Sequence, residues 1–118
     1  MSMTINEYQK LAMRTASSQS QNDLVLNGVL GLCGETGEVA DLLKKSLFQG
    51  HPFDTDKVKN ELGDVCWYVA ILAKGLGFDL ETVMQGNIDK LRKRYPDGFS
   101  AERSINRVDP YAGHEEVE

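Results

Sequence analysis

Apolar residues recur along this chain at helical rather than strand spacing. Ile5, Tyr8, Leu11, Ala12 and Thr15 share one face of a helix. Ahead of them Thr4-Ile5-Asn6-Glu7 reads as a capping box, in which the Thr4 hydroxyl accepts from the Glu7 amide and Glu7 reaches back. After a polar break from Ser17 to Asn22, a second helix is predicted from about Asp23 to Phe48, with Asn22 as its cap. Gln49-Gly50-His51-Pro52 closes it. A third helix begins at Asp54 or Thr55, reaches about Lys74, and closes at Gly75 and Gly77. A fourth, capped by Asp79, covers about Leu80 to Arg94 with Val83, Ile88 and Leu91 inward, and Pro96 ends it. Beyond Asp97 the periodicity fades. Phe99 and Ile105 are expected to dock on the helices, and His114 to Glu118 to fray. Four helices with short links predict an all-α, four-helix bundle-like domain over residues 1–99. Residues 100–118 are left as a tail, partly docked or flexible.

Two of these helices depart from the ordinary amphipathic pattern. In the second, Gly28, Gly31, Gly34 and Gly37 fall at every third position, each costing up to about 1 kcal/mol relative to Ala in a helix interior. Close approach of another backbone, or room for a ligand, would compensate; otherwise the helix breaks near one of them. In the third, Val65-Cys66-Trp67-Tyr68-Val69-Ala70-Ile71-Leu72-Ala73 is apolar on nearly every side and has to be covered all round. A second copy of the chain is the simplest cover, so a homodimer or homotetramer built on this helix is expected.

At 118 residues and 41% hydrophobic content the chain suits one globular domain. Its net charge of −5 argues against broad binding to a nucleic-acid backbone, which needs clustered Lys and Arg. Two cysteines, Cys33 and Cys66, make no disulfide scaffold or CxxC knuckle. Two histidines make a His-rich zinc or di-iron site a poor fit. The start, MSMTINEYQK, has no signal-peptide pattern, and no apolar run approaches the ~20 residues of a membrane span. A soluble cytoplasmic protein is expected.

The informative chemistry is a pair of acidic pairs. Glu35 and Glu38 lie three apart on the second helix, Glu61 and Asp64 three apart on the third, and residues so spaced are neighbours on a helix surface. If the two helices pack antiparallel, four carboxylates converge. Such a cluster is self-repelling, and all-oxygen donors suit Mg²⁺ or Mn²⁺. Gly34, Gly37 and Gly63 would clear space, with Val39, Val65 and Trp67 as apolar walls. An ExxE on a helix is also what a solvated face looks like, with Asp41, Lys44 and Lys45 making ion pairs; the apolar, glycine-rich setting favours the metal site modestly. On the fourth helix Asn87, Lys90 and Arg94 share a face and offer donors to phosphate oxygens, although Lys90, Arg92, Lys93 and Arg94 also read as a solvated basic helix end favoured by the dipole. Lys45 lies over the same face as Glu38. Tyr68, four beyond Asp64, is a core residue or a surface on which a base can stack.

In these residues the chain resembles a MazG-like nucleoside triphosphate pyrophosphohydrolase of the all-α NTP pyrophosphatase superfamily. Three blocks carry the resemblance in order: Gly34-Glu35-Thr36-Gly37-Glu38-Val39-Ala40-Asp41, Glu61-Leu62-Gly63-Asp64-Val65-Cys66-Trp67-Tyr68, and the stretch from Asn87 to Pro96. It spans about Leu24 to Phe99. It implies hydrolysis of an NTP or dNTP to monophosphate and pyrophosphate with Mg²⁺, the ligands being Glu35, Glu38, Glu61 and Asp64. Asn87, Lys90 and Arg94 would contact the substrate's phosphates. Many members carry another Glu directly before the first signature Glu, often assigned as the base that activates water; this chain has Gly34 there, leaving Glu35 or Glu38 to take the proton. No Ser-His-Asp or Cys-His arrangement and no GxxxxGK[ST] loop is present, which leaves metal-assisted attack of water on the α-phosphorus. Two other readings stand beside this one: a related enzyme acting on a modified or phosphoribosyl nucleotide, and a catalytically silent helical interaction module.

Overall fold

A computed structural model describes residues 2–107, which form helices and no strand. The elements are α1 (Ile5–Ala12), a 3₁₀ turn (Met13–Thr15), α2 (Gln21–Phe48), α3 (Thr55–Gly75), α4 (Leu80–Arg94) and α5 (Ala101–Ile105). The all-α class is as expected, with one helix more than the periodicity revealed. Residues 101–105 fall in the expected tail, but Ser100 accepts from the Arg103 amide at 3.3 Å and starts α5; five residues are too few to show a helical period. His114 to Glu118 lie outside the described residues.

Side-chain caps set the helix starts. Thr4 Oγ1 accepts from Glu7 N at 3.1 Å, as the capping-box pattern requires. Asp54 Oδ1 accepts from the amides of Asp56 and Lys57. For α2 the cap is Ser20 rather than Asn22: extended backbone at Ser20 brings its hydroxyl within 3.1 Å of Asp23 N, so Asn22 already lies in the first turn. Gly50, at φ +73°, follows the end of α2, and Gly77, at φ +82°, lies just beyond α3.

The chain divides into two compact units, one running to Leu80 and one from Glu81. In the first, α2 and α3 run antiparallel in close contact, since Gly28 lies against Leu72, Gly31 against Tyr68, and Gly75 against Leu24 and Val25. A Cβ at Gly28 would come within 2.6 Å of the Leu72 Cβ, and one at Gly31 would meet the Tyr68 ring. These two glycines answer to close helix approach, and α2 continues unbroken through all four. The apolar half of α3 is covered in part inside the chain. Ala70 and Ile71 are fully buried, packed with Ala12 of α1 and Leu24 of α2. Around them Val65, Val69 and Leu72 are half-buried and Cys66 is exposed.

The buried face of α1 differs from the expected stripe: Ile5 and Leu11 are exposed, whereas Gln9 and Ala12 are buried. Gln9 is satisfied by backbone. Its Nε2 donates to Phe78 O at 3.0 Å and to Ala70 O at 3.3 Å, and its Oε1 accepts from Leu80 N at 3.0 Å. One amide thus pairs Phe78 C=O in the α3–α4 link with Leu80 N–H at the start of α4, and also reaches Ala70 C=O inside α3. In the second unit, Val83, Ile88 and Leu91 do not point into a core but are 43%, 43% and 37% exposed. Phe99 and Ile105, expected to dock, are exposed too, although the Phe99 ring lies 5.3 Å from that of Tyr95. Two short helices offer little apolar surface to bury such side chains. Among the described residues no helix is long and apolar enough to cross a membrane.

Candidate metal centre

Antiparallel packing of α2 on α3 brings the two acidic pairs face to face. Carboxylate oxygens of Glu35, Glu38 and Glu61 all lie within 4.8 Å of one another. Asp64 stands one turn along from Glu61, outside that group of three. Its negative charge still acts on both Glu38 and Glu61. Gly34, Gly37 and Gly63 leave open space, since a Cβ on any of them would have no neighbour within 4 Å. The apolar wall expected from Trp67 is absent. Its indole turns to α1 and donates to Ala12 O at 3.1 Å and Thr15 Oγ1 at 3.0 Å, because a buried indole N–H needs an acceptor and α1 supplies one.

With the three carboxylates ionised, Glu35 Oε2 and Glu61 Oε2 are buried atoms with no hydrogen-bond partner. Buried acceptors without a donor are costly, and here like charges add to the cost. Glu38 and Glu61 accordingly hold their protons to higher pH than ordinary carboxylates do. The charge of Glu61, and then a proton shared with it, raise the Glu38 pKa above the usual carboxylate value. Glu61 is raised chiefly by a shared proton with Glu35, then by burial and the Glu35 charge. A hard divalent cation would remove both penalties, and the all-oxygen donor set fits one. Glu35, Glu38 and Glu61 are the residues placed to hold it.

From this cluster a groove of about 510 Å³ runs along the α2–α3 seam, lined by Glu38, Asp41 and Leu42 on one side and Asp56, Lys57, Asn60 and Glu61 on the other. Its size is that of a small-molecule site. Sequence reading missed Lys57 and Asn60; the available signal was their position one turn and one residue before Glu61. Lys45 bonds Asp41 at 2.8 Å, and Lys44 lies 3.6 Å from it, so the Asp41 pKa is lowered, first by its bond to Lys45. Tyr68 is half-buried against Gly31, its ring edge-on to Trp67 at 5.1 Å. Tyr8 of α1, read as an apolar position, feels the charges of Cys66 and Asp64; with burial as the larger cause, they raise its pKa. In the second unit Asn87, Lys90 and Arg94 lie along α4, Asn87 exposed and the two cations half-buried, and Arg94 Nε has no hydrogen-bond partner.

Residues 25–99 match the MazG nucleotide pyrophosphohydrolase domain family. The chain is also 43% identical over 82 residues to the Gene 37 protein of Mycobacterium phage L5, an alignment covering 66% of this chain and 72% of the phage protein. No solved structure matches.

Proposed function

The chain belongs to the MazG nucleotide pyrophosphohydrolase family, and on that footing we propose that it hydrolyses a nucleoside or deoxynucleoside triphosphate to the monophosphate and pyrophosphate. One observation supports this above the rest: three carboxylates converge, and two of their buried oxygens have no partner. A bound divalent cation, Mg²⁺ or else Mn²⁺, would neutralise phosphate charge and lower the pKa of a coordinated water. Glu35, Glu38 and Glu61 would hold it, and Asp64, one turn beyond Glu61, is assigned as the fourth ligand. Water attacks the α-phosphorus, the new P–O bond forms as the bond to the bridging oxygen breaks, and pyrophosphate leaves. Glu35 or Glu38 takes the proton of the attacking water, directly or through a second water, because Gly34 provides no side chain for that task. Asn87, Lys90 and Arg94 present donors of the kind that phosphate oxygens need, and we assign them to the substrate's phosphates. Lys45, held by Asp41, and Tyr68 are assigned as further substrate contacts at the seam. Two free cysteines fit a reducing cytoplasm.

Product analysis tests the reading. The protein is incubated with each common NTP and dNTP, with Mg²⁺ and with EDTA, and the products are separated by ion exchange. Monophosphate plus pyrophosphate, lost with EDTA, is the expected outcome. Diphosphate plus phosphate would overturn the position of cleavage. No turnover of any nucleotide would redirect the proposal to a modified or phosphoribosyl substrate, or to an interaction module without activity.

A further inference from the structure

Gln9 is a buried polar residue with no place in the carboxylate cluster or the groove. Packing alone would favour an apolar side chain there, because burying an amide costs free energy that its bonds only recover. What an amide adds is direction, since each hydrogen bond tolerates a narrow range of distance and angle. All three bonds of Gln9 are long-range, to main-chain groups 61 to 71 residues away. Two of them, to Phe78 O and Leu80 N, straddle Asp79 at the base of α4.

The link into α4 is also held locally. Phe78 N donates to Ala73 O at 2.7 Å and Gly77 N to Lys74 O at 3.0 Å, with Gly77 at φ +82°. The Leu80 side chain, 2% exposed, is packed with Ala12, Ala70 and Ala73. Beyond Leu80 apolar burial does little for α4, since Val83, Ile88 and Leu91 are exposed. The helix is therefore held at its first residue. Its phosphate donors stand far from that hold, Asn87 at about 10 Å and Arg94 at about 21 Å along the axis, at 1.5 Å per residue. A swing of about 10° at Leu80 would carry Arg94 roughly 3–4 Å and Asn87 half as far. Resting on the pyrophosphohydrolase reading, we propose that Gln9 is a positioning residue for the substrate. By clamping Phe78 C=O and Leu80 N–H it sets the bearing of α4, and with it the place where Asn87, Lys90 and Arg94 meet the phosphates.

Gln9→Met tests this, because it keeps an unbranched side chain of similar length and removes both donor and acceptor. With Cys33 and Cys66 replaced by Ser, nitroxide labels on Lys59→Cys and Lys93→Cys report the bearing of α4. Labels on Asp23→Cys and Lys59→Cys report the α2–α3 seam, and all three of these positions are exposed. In Gln9→Met the first distance distribution should broaden and the second should match the wild type. Binding of inorganic pyrophosphate in the presence of Mg²⁺ should weaken by about 10–100-fold, the scale of a group misplaced by an ångström. The rise in Tm on adding Mg²⁺ should not change. In this background Arg94→Ala should cost little further affinity, whereas Asn87→Ala should keep most of its own effect. Gln9→Glu still accepts from Leu80 N–H, so it should show smaller changes in the same direction, and it carries the test if Gln9→Met does not fold. An unchanged α4 distribution or an unchanged pyrophosphate affinity would overturn the proposal. So would a Mg²⁺ response lost in parallel, which would make Gln9 a structural residue only. A wild-type chain that neither binds pyrophosphate nor cleaves any nucleotide would overturn the pyrophosphohydrolase reading and this proposal together. An active wild type with an indifferent Gln9→Met would overturn this proposal alone.

Discussion

Gln9 and the carboxylates are both polar groups in demanding surroundings, and they meet that demand in opposite ways. Gln9 is fully paired by backbone. Gln9→Leu keeps the volume but strands Leu80 N–H and Phe78 C=O, each at about 1–3 kcal/mol, so a lower urea midpoint is expected. The cluster of Glu35, Glu38 and Glu61 is instead frustrated until a cation or protons arrive. Glu38→Gln or Asp64→Asn should reduce turnover by about 10²–10⁴-fold while leaving thermal stability unchanged or raised, because a negative charge is removed. Near-normal activity in either variant would refute the four-carboxylate assignment. The pH dependence follows from the raised pKa values of Glu38 and Glu61. The folded state holds protons there that the unfolded chain has released. The contribution of these groups to stability is therefore fullest below their ordinary value of 4.5 and falls as pH rises through the raised range. Metal binding needs the ionised forms, so the rise in Tm on adding Mg²⁺ should be larger near about pH 7.5 than near about pH 5. An equal rise at both would exclude these carboxylates as the ligands.

Four glycines at every third position of α2 look equivalent in the sequence, yet their surroundings separate them. Gly28 and Gly31 face α3 across the closest part of the seam. Gly28→Ala forces its new Cβ against the Leu72 backbone, 3.0 Å from Cα, and should cost about 1–3 kcal/mol. Gly34→Ala meets nothing within 4 Å and should gain up to about 1 kcal/mol from helix propensity. Urea denaturation of the two variants reads the contrast directly, and equal effects would mean that the seam is not closely packed at Gly28. The helix boundaries themselves were largely legible, because Thr4, Asp54, Gly50 and Pro96 act on the residues beside them. Ser20, within the polar break, caps α2 in place of Asn22 because its backbone is extended and its hydroxyl reaches Asp23 N. The short α5 was hidden for want of length.

The homo-oligomer expected from the apolar half of α3 would tie folding to protomer concentration, so Tm should climb as the protein is concentrated, and a Tm independent of concentration would contradict it. Within that half of α3, Ala70, Ile71 and Ala73 are buried against α1 and α2, Val65, Val69 and Leu72 are half-buried and Cys66 is exposed, while α2 leaves Leu26, Leu30 and Leu47 exposed.

Period, caps and the ExxE and ExxD spacings are local properties, so the all-α class, most helix ends and the carboxylate pairs could be read from the residues alone. Which faces met was not local. Bringing Glu35, Glu38 and Glu61 within 4.8 Å, turning Trp67 towards α1, burying Gln9 and leaving Leu26, Leu30 and Leu47 bare all depended on how α1, α2 and α3 pack. A helical period places a side chain on a face, and packing against other helices determines whether that face meets protein, ligand or water.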